Sequence, residues 1–257
     1  MGPSERIGMD VPLFVDQQEI PTIPLVLIYH KPKWVLSVMN DPKGRPNLST
    51  VLPPFYQNQP DLHPVGRLDY DTSGLLLFSS SGPLTQRLLH PNFHVEKEYV
   101  ALVEGQVDET ALRDQLESGV VTAEGNHTAE LKRVTPLEPR HIERVHAELL
   151  RTLPEEYNAR DLTERGYMSE EPLEHMTQVR LIVREGKHRM VRRMLANCGH
   201  PVVELRRDRQ GAIRLGKLPQ GRTRILTEEE LGWAESMLSE VKTKKKAETT
   251  KDRKDSE

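Results

Sequence analysis

The sequence is nearly free of cysteine, since Cys198 is the only one among 257 residues. One thiol cannot close an intramolecular disulfide or build a thiolate metal cage, so an apolar core must hold the fold and a reducing compartment is expected. No apolar run approaches the roughly 20 residues that a bilayer span needs, and the mean hydropathy is −0.61. These absences exclude a transmembrane helix, and we expect no membrane partner.

The common cofactor and metal motifs are missing as well. There is no P-loop, no dinucleotide glycine fingerprint, no HExxH and no pair of CxxC motifs. We therefore expect neither a metal nor a cofactor. No cleavable apolar signal segment is visible, which predicts a cytoplasmic protein, or one of an organelle matrix if a targeting segment was removed from a longer precursor.

What the sequence does contain is a strongly uneven charge. The formal net charge is only −3, yet residues 184–224 hold ten Arg and two Lys against three acidic residues, a net charge of +9. Such an excess is expected of a phosphate-binding face, and arginine can both grip phosphate and stack on bases. The alternative is a solvated surface whose cations pair with acids elsewhere in the chain. Charge alone does not decide between them.

The order of short strands and helices predicts an α+β fold with a mixed, largely antiparallel sheet flanked by helices. Prolines and a lack of apolar periodicity predict a disordered lead-in over 1–24, and a charged tail over 242–257 is expected to be disordered too. Between them, 25–241 form one domain. Residues 138–176 hold three prolines and fit the pattern poorly, which indicates an insertion.

One predicted helix carries both an apolar and a basic face. Val191, Met194, Leu195 and Cys198 follow helical spacing, and Gly199 is placed to end the helix. Arginines at 189, 192 and 193 repeat that spacing on a neighbouring face. The helix is therefore expected to be anchored by its apolar side while it presents guanidinium groups.

A second segment, residues 63–78, reads HPVGRLDYDTSGLLLF. Asp69 stands in a turn-forming stretch that runs into an apolar strand, so its carboxylate can be held at the edge of a core while it remains reachable. The structural alternative is that Asp69 and Asp71 only supply turn hydrogen bonds. From local chemistry alone this second interpretation is the stronger one.

The same segment resembles motif II of the pseudouridine synthases, in the wording of the RsuA and RluB type that modifies ribosomal RNA. Three further segments are similar to family motifs in the right order: YHKP at 29–32, EKEY at 96–99 and EGKHRMVRRM at 185–194. The segments GHPV at 199–202 and LRR at 205–207 resemble the last part of the family's pattern. The resemblance covers about residues 25–231 and implies the catalytic fold of that family.

The resemblance implies an isomerase that converts a specific uridine to pseudouridine in RNA, without a cofactor. Asp69 matches the essential aspartate, Arg192 the basic residue expected to pair with it, and Tyr99 the tyrosine that packs on the target base. RNA, most of all ribosomal RNA, is the expected partner of a monomeric enzyme. The residues expected to bind it are Arg67, Lys97, Lys31, Lys187, Arg189, Arg193, Arg206 and Arg207.

Three residues depart from the family pattern. His30 replaces the opening Asn, Trp34 a glycine, and Met190 a glutamine, which leaves open a non-catalytic RNA-binding or ribosome-assembly factor on the same scaffold. A transfer RNA substrate is compatible with the same chemistry. Many relatives carry an S4 RNA-binding domain of about 60 residues, and we expect the 24-residue lead-in to be too short for one.

Overall fold

The computed structural model describes residues 23–57, 59–154, 157 and 173–238, together with the backbone of 13–15 and 18–20. Its strands are β1 Leu13–Val15, β2 Gln18–Ile20, β3 Val26–Lys31, β4 His63–Val65, β5 Thr72–Ser79, β6 Lys97–Glu104, β7 Val120–Thr122, β8 Gly125–His127, β9 Glu130–Pro136, β10 Met176–Val183, β11 Val202–Gln210, β12 Ile213–Arg214 and β13 Thr223–Ile225. Its helices are α1 Leu48–Val51, α2 Pro54–Gln57, α3 Gly82–Leu89, α4 Glu109–Ser118, α5 Pro139–Arg151, α6 Met190–Asn197 and α7 over 228–238.

Nine strands form one mixed sheet. The main path runs β13-β3-β5-β11-β6-β10-β9, with β4 paired to β5 and β12 to β11. Only the β5–β11 pairing is parallel; the others are antiparallel. The predicted α+β class with a largely antiparallel sheet is confirmed.

Local sequence signals set the ends of several helices. Ser81 caps α3 by accepting a hydrogen bond from the Leu84 N–H, with proline in the first turn. Asp108 caps α4 in the same way, and Gly119 ends it at a φ of 100°. Before α7, the Thr227 hydroxyl and the Glu230 carboxylate exchange hydrogen bonds with each other's backbone N–H, as the capping-box pattern predicts.

Buried apolar residues cover both faces of the sheet. Strand β5 is buried along its whole length, as expected of a central strand with elements packed on each side. Helix α6 buries Val191, Met194 and Leu195 against β6 and β10. This confirms the predicted apolar face of that helix.

The insertion is partly built into the fold. Helix α5 buries Ile142 and Leu149 against Met176 and Val203, in a small core of its own on the sheet. Residues 155–156 and 158–172 of the segment lie outside the described residues. Residues 138–151 are thus a packed helix with its N-cap rather than an excursion away from the core.

The lead-in departs from the expected disorder over six residues. Strands β1 and β2 pair antiparallel, with Leu13 opposite Ile20. A run of leucine, phenylalanine and valine followed by a two-residue connection is a hairpin signal that the count of prolines concealed. The remainder of 1–22 and the predicted tail over 242–257 fall outside the described residues. In the part of the chain that is described, no helix is both long and apolar enough to cross a membrane.

Candidate active site

A cleft of about 150 Å³ opens where β5, β6 and β11 meet the loop before α6. In the sheet, Thr72 lies opposite Leu205, and Tyr99 lies opposite Arg207. The residues that line the cleft are Gly66, Arg67, Leu68, Asp69, Thr72, Leu89, Lys97, Tyr99, Val183, Glu185, Gly186, Lys187, Arg189, Met190, Val191, Leu205 and Arg207. Four segments of the sequence, 66–72, 89–99, 183–191 and 205–207, therefore supply one site.

Asp69 is fixed at the edge of this cleft by its neighbours. Leu68 is buried, and its backbone N–H and carbonyl both bond the buried Ser37 hydroxyl, at 3.1 and 2.7 Å. The Asp69 carbonyl accepts a hydrogen bond from the Thr72 N–H at 3.0 Å. The side chain itself is half-buried and lines the cleft. A rigid but reachable carboxylate, as the sequence predicts, is what this geometry provides.

The electrostatic surroundings of Asp69 act in opposite directions. Burial raises the pKa of its carboxyl, and the negative charge of Asp71 raises it further; Arg189, Arg192 and His188 lower it, and the net direction is upward. Asp69 therefore keeps its proton to a higher pH than an ordinary aspartate.

The arginine pairing differs from the expectation. Arg192 is buried and its ion pair is with Asp71, with Nε 3.2 Å from Oδ2. It also donates to the backbone carbonyls of Asp71 at 3.0 Å and Val202 at 2.9 Å. The charge of Arg192 also lowers the pKa of the Asp69 carboxyl. The change of partner follows from the positions of the two side chains. Asp71 contacts the arginines at the start of α6, whereas Asp69 lines the cleft.

Arg189 grips the same carboxylate. Its two terminal nitrogens lie 2.9 and 3.0 Å from the two oxygens of Asp71, a bidentate geometry that neutralises a nearly fully buried carboxylate. Arg189 precedes α6 in the left-handed conformation, at a φ of 53°. Expected as an RNA contact, it is engaged by a protein carboxylate in this structure, although it still lines the cleft.

Lys31 is also placed differently from the expectation. Its side chain is fully buried and donates to the carbonyls of Pro32 and Thr72, both at 2.9 Å. Burial lowers the pKa of the Lys31 amine to about 7, against the opposing pull of Asp71 and Asp69. A side chain closed off from solvent cannot contact RNA, so Lys31 supports the floor of the site instead.

Tyr99 and four of the cations predicted to bind RNA, Arg67, Lys97, Lys187 and Arg207, line the cleft. Tyr99 is half-buried, Arg67 and Lys187 are exposed, and Lys97 and Arg207 are buried. Burial is the largest cause of the lowered pKa of Lys97, about 8, and nearby Arg207 lowers it further.

Gly74 accounts for the close approach of β5 and β11 behind these residues. Its φ is 109°, and a Cβ there would lie 2.3 Å from the Arg207 carbonyl oxygen. Only glycine allows the two strands to meet at this distance.

The remaining predicted RNA contacts lie elsewhere. Arg193 pairs with Glu124 at 3.0 Å, and Arg206 pairs with Asp208 at 2.6 Å; neither lines the cleft. Much of the predicted basic face is in fact paired with acids. At least seven of the twelve cations in 184–224 form ion pairs: Arg184, Arg189, Arg192, Arg193, Arg206, Arg209 and Arg224.

The departures from the motif pattern do not obstruct Asp69. Trp34 adopts the left-handed conformation at a φ of 64°, the backbone geometry that favours glycine. Its ring packs edge-to-face on Tyr70 at 5.6 Å and lines a separate cavity rather than the cleft. Met190 is buried in the cleft wall. Of the three departures, His30, Trp34 and Met190, only Met190 lines the cleft.

Sequence reasoning missed Asp71 and Glu185. Asp71 carries the arginine pairs, and Glu185 lines the cleft and bonds the buried His127 ring, with Nδ1 2.8 Å from Oε1. The only available signal for Asp71 was its place two residues after Asp69, which turn chemistry explains equally well.

Comparison with known proteins gives a consistent result. The family model of RNA pseudouridylate synthases matches residues 25–197. The chain is 32% identical over 209 residues to the ribosomal large subunit pseudouridine synthase B of Bacillus subtilis, with 81% of this chain and 70% of that protein covered. The protein of the same name from Yersinia pestis is 33% identical over 219 residues, with 85% and 57% covered.

A solved structure shows the same fold. A crystal structure of a pseudouridylate synthase superimposes with a TM-score of 0.59 at 22% identity, with 91% of this chain and 84% of that chain covered.

Proposed function

The chain belongs to the RNA pseudouridylate synthase family, and from this premise we propose that it isomerises a uridine of large-subunit ribosomal RNA, with Asp69 as the reacting carboxylate. In this isomerisation the N1–C1′ bond breaks, the uracil turns and C5 bonds to C1′. The proton leaves C5 and N1 ends protonated, so no atom is gained or lost. The enzyme is an isomerase that acts on RNA; its ribosomal substrate is inferred from the relatives named for it.

The single observation that carries the role of Asp69 is its position. Asp69 lines the cleft. Asp71, the other carboxylate of this loop, does not line the cleft and is held by the Arg189 fork. An ionised carboxylate at this place can attack C6 or C1′ of the uridine or remove a proton from the ribose. The two arginines attached to Asp71 favour ionisation through their field, against the burial that opposes it.

Tyr99 is placed to hold the displaced base. A uridine must leave its stack to reach Asp69, at a cost of a few kcal/mol, and an aromatic face returns about 1–3 kcal/mol per base. Tyr99 and Asp69 both line the same cleft. Arg67 and Lys187, exposed on its wall, supply positive charge for the RNA backbone on either side of the target.

The decisive experiment replaces Asp69 with Asn, which preserves size and removes the charge. Purified protein is incubated with unmodified large-subunit ribosomal RNA and pseudouridine is mapped. Because each tenfold in rate equals about 1.36 kcal/mol, loss of the reacting carboxylate should cost many powers of ten. Asp61→Asn, an exposed aspartate in the turn before β4, is the matched control and should react normally.

The outcomes separate the competing functions. An Asp69→Asn enzyme with a near-normal rate would remove Asp69 from the mechanism. Binding of ribosomal RNA by the unaltered protein without product would instead favour a non-catalytic RNA-binding factor, and product on transfer RNA alone would replace the substrate.

A further inference from the structure

Arg207 is a buried cation that lines the cleft. Its side chain is 3% exposed, and its Nε donates to the Leu75 carbonyl at 2.8 Å. The terminal nitrogen Nη2 is buried and has no hydrogen-bond partner among the described residues. A buried guanidinium group that is only partly paired costs free energy, and a catalytic role is one explanation for such a group in a native protein. Because Arg207 lines the cleft, the substrate is a candidate partner.

Two other buried side chains of the cleft wall have hydrogen-bond donors to spare. The Lys97 side chain is 7% exposed, and its Nζ donates to the Val95 carbonyl at 3.2 Å, which uses one of the three N–H donors of an ammonium group. The hydroxyl of Thr72 is buried and bonds no atom of the described chain. Arg207 lies close enough to Lys97 for its charge to lower the pKa of the Lys97 amine. The buried part of the wall therefore combines positive charge with unused donors.

Depth separates these two cations from those that suit the RNA backbone. Arg67 and Lys187 are exposed, whereas Arg207 and Lys97 are buried. The buried pair therefore suits a base that is turned into the cleft rather than the phosphates outside it. In the sheet, Arg207 lies opposite Tyr99, the residue proposed to hold that base. Lys97 precedes Tyr99 by two residues on β6 and so lies on the same face of the strand.

The proposed reaction places negative charge on the uracil. When the N1–C1′ bond breaks, its electron pair leaves with N1, and the charge is shared with the carbonyl oxygens O2 and O4. If the carboxylate of Asp69 adds to C6 instead, the charge is shared between the ring and O4. The negative charge returns to the Asp69 carboxylate once C5 has bonded to C1′, and C5 then loses its proton while N1 gains one. Each route therefore passes through a uracil whose oxygen atoms are more negative than in the substrate.

We propose that Arg207, assisted by Lys97, is a catalytic residue that donates hydrogen bonds to a uracil carbonyl oxygen and stabilises this negative charge. The inference rests on the proposed function and assigns a further group within the same site. Fixed donors placed where charge develops, in a site that excludes water, are often the largest single contribution to catalysis. The bond from Arg207 Nε to the Leu75 carbonyl fixes the guanidinium group in the sheet before the substrate arrives.

The test combines enzyme variants with altered substrates. Arg207→Met removes the guanidinium group, and Arg87→Met is the matched control, because Arg87 is also a buried arginine, 5% exposed, but does not line the cleft. The substrates are short ribosomal RNA fragments that contain the mapped uridine, with oxygen or sulfur at position 2 or position 4 of its uracil. Sulfur accepts hydrogen bonds less well than oxygen, so each substitution weakens a contact at one chosen atom. Single-turnover rates are measured with saturating enzyme, and RNA binding is titrated at several salt concentrations.

Stabilisation of the uracil charge predicts a specific pattern. Arg207→Met should lower the single-turnover rate about 100- to 1000-fold, as removal of one fixed donor to a developing negative charge does in other enzymes. Sulfur at the bonded position should slow the unaltered chain more than it slows Arg207→Met, by about 2- to 150-fold, which corresponds to a coupling energy of about 0.5–3 kcal/mol. Arg87→Met should react at a near-normal rate and respond to sulfur as the unaltered chain does. The log–log salt slope of RNA binding should be the same in all three proteins, because Arg207 meets no phosphate.

Urea unfolding checks that each variant is folded. If Arg207→Met is too unstable to assay, Arg207→Lys takes its place in the same comparison. Lysine lacks the guanidinium fork, so the effect of sulfur at the bonded position should shrink in this variant too.

Three results would overturn the role of Arg207. The first is a near-normal rate in folded Arg207→Met, and the second is an equal effect of sulfur in the variant and the unaltered chain at both positions. The third is a salt slope that is smaller by about 0.7 with an unchanged saturated rate, since this would mean that Arg207 meets a phosphate. Failure of the proposed function is a different result, in which the unaltered chain forms no pseudouridine with any substrate and the role of Arg207 fails with it.

Discussion

Asp71→Asn should destabilise the protein far more than the loss of an ordinary surface ion pair. The Asp71 side chain is 3% exposed and accepts both ends of the Arg189 fork, at 2.9 and 3.0 Å. Arg192, 6% exposed, lies 3.2 Å from the same carboxylate. Removing one partner of a buried ion pair leaves the other charge unpaired and costs about 3–5 kcal/mol. Because Arg189 is 30% exposed and can recover some hydration, we expect a value near the lower end, about 3 kcal/mol.

The measurement is urea unfolding at pH 7, followed by circular dichroism. Glu109→Gln is the control, since it removes an exposed pair with Arg113 at 2.7 Å on α4 and should cost about 0.5 kcal/mol. The double variant with Arg189→Met then isolates the pair: two groups in contact should show a coupling energy of about 0.5–3 kcal/mol. A loss in Asp71→Asn no larger than in Glu109→Gln, or a coupling energy near zero, would refute the view that this carboxylate ties the β5 loop to α6.

Three further predictions follow from the charges of the site. In the proposed function Asp69 reacts as the ionised carboxylate, and its pKa is raised, so the single-turnover rate should fall as the pH drops below a pKa higher than that of an ordinary aspartate. Arg189→Met removes a cation and should move this fall in rate to still higher pH. A move to lower pH would contradict the assignment of Asp69. Burial lowers the pKa of Lys31 from 10.5 to about 7, so the unfolded chain binds more protons than the folded chain between these pH values, and the free energy of unfolding should rise with pH across that window. In urea unfolding, Lys31→Met should flatten this rise. An unchanged slope of the free energy of unfolding against pH would disprove the effect of burial on Lys31. Because many of its cations are paired, the chain should bind single-stranded RNA through about three phosphate contacts, which gives a log–log salt slope near −2. A slope near −4 would mean about six phosphate contacts and would contradict this prediction.

Much of the fold could be predicted because local and global signals agree in it. The apolar run that follows Asp69 became the buried strand β5, and the caps at Ser81, Asp108 and Thr227 begin helices where their side chains indicate. Periodicity placed the apolar face of α6 on the core. These features depend on residues close to one another in sequence, whose chemistry is visible without the fold.

The charges were harder to predict because their partners are far apart in sequence. Arg184 and Arg209 both pair with Glu96, which lies 88 and 113 residues away from them in the sequence. The composition of 184–224 shows the cations but not the acids that come from other elements, so it does not show which of the cations are paired. The burial of Lys31 was also unexpected, because the apolar run before it predicts a buried strand but does not show that β3 stays buried through its last residue.

The different roles proposed for Asp69 and Asp71 follow from a chemical requirement that is not visible in the sequence. A carboxylate held by a bidentate arginine has both oxygens occupied and is a poor nucleophile or base, because any reaction must first break the fork. Placing the arginines on Asp71 keeps two positive charges near Asp69, where they oppose the effect of burial on its pKa, and leaves its oxygens open to the cleft. In the proposed function, Asp71 therefore binds the arginines, and Asp69 is the carboxylate that meets the substrate.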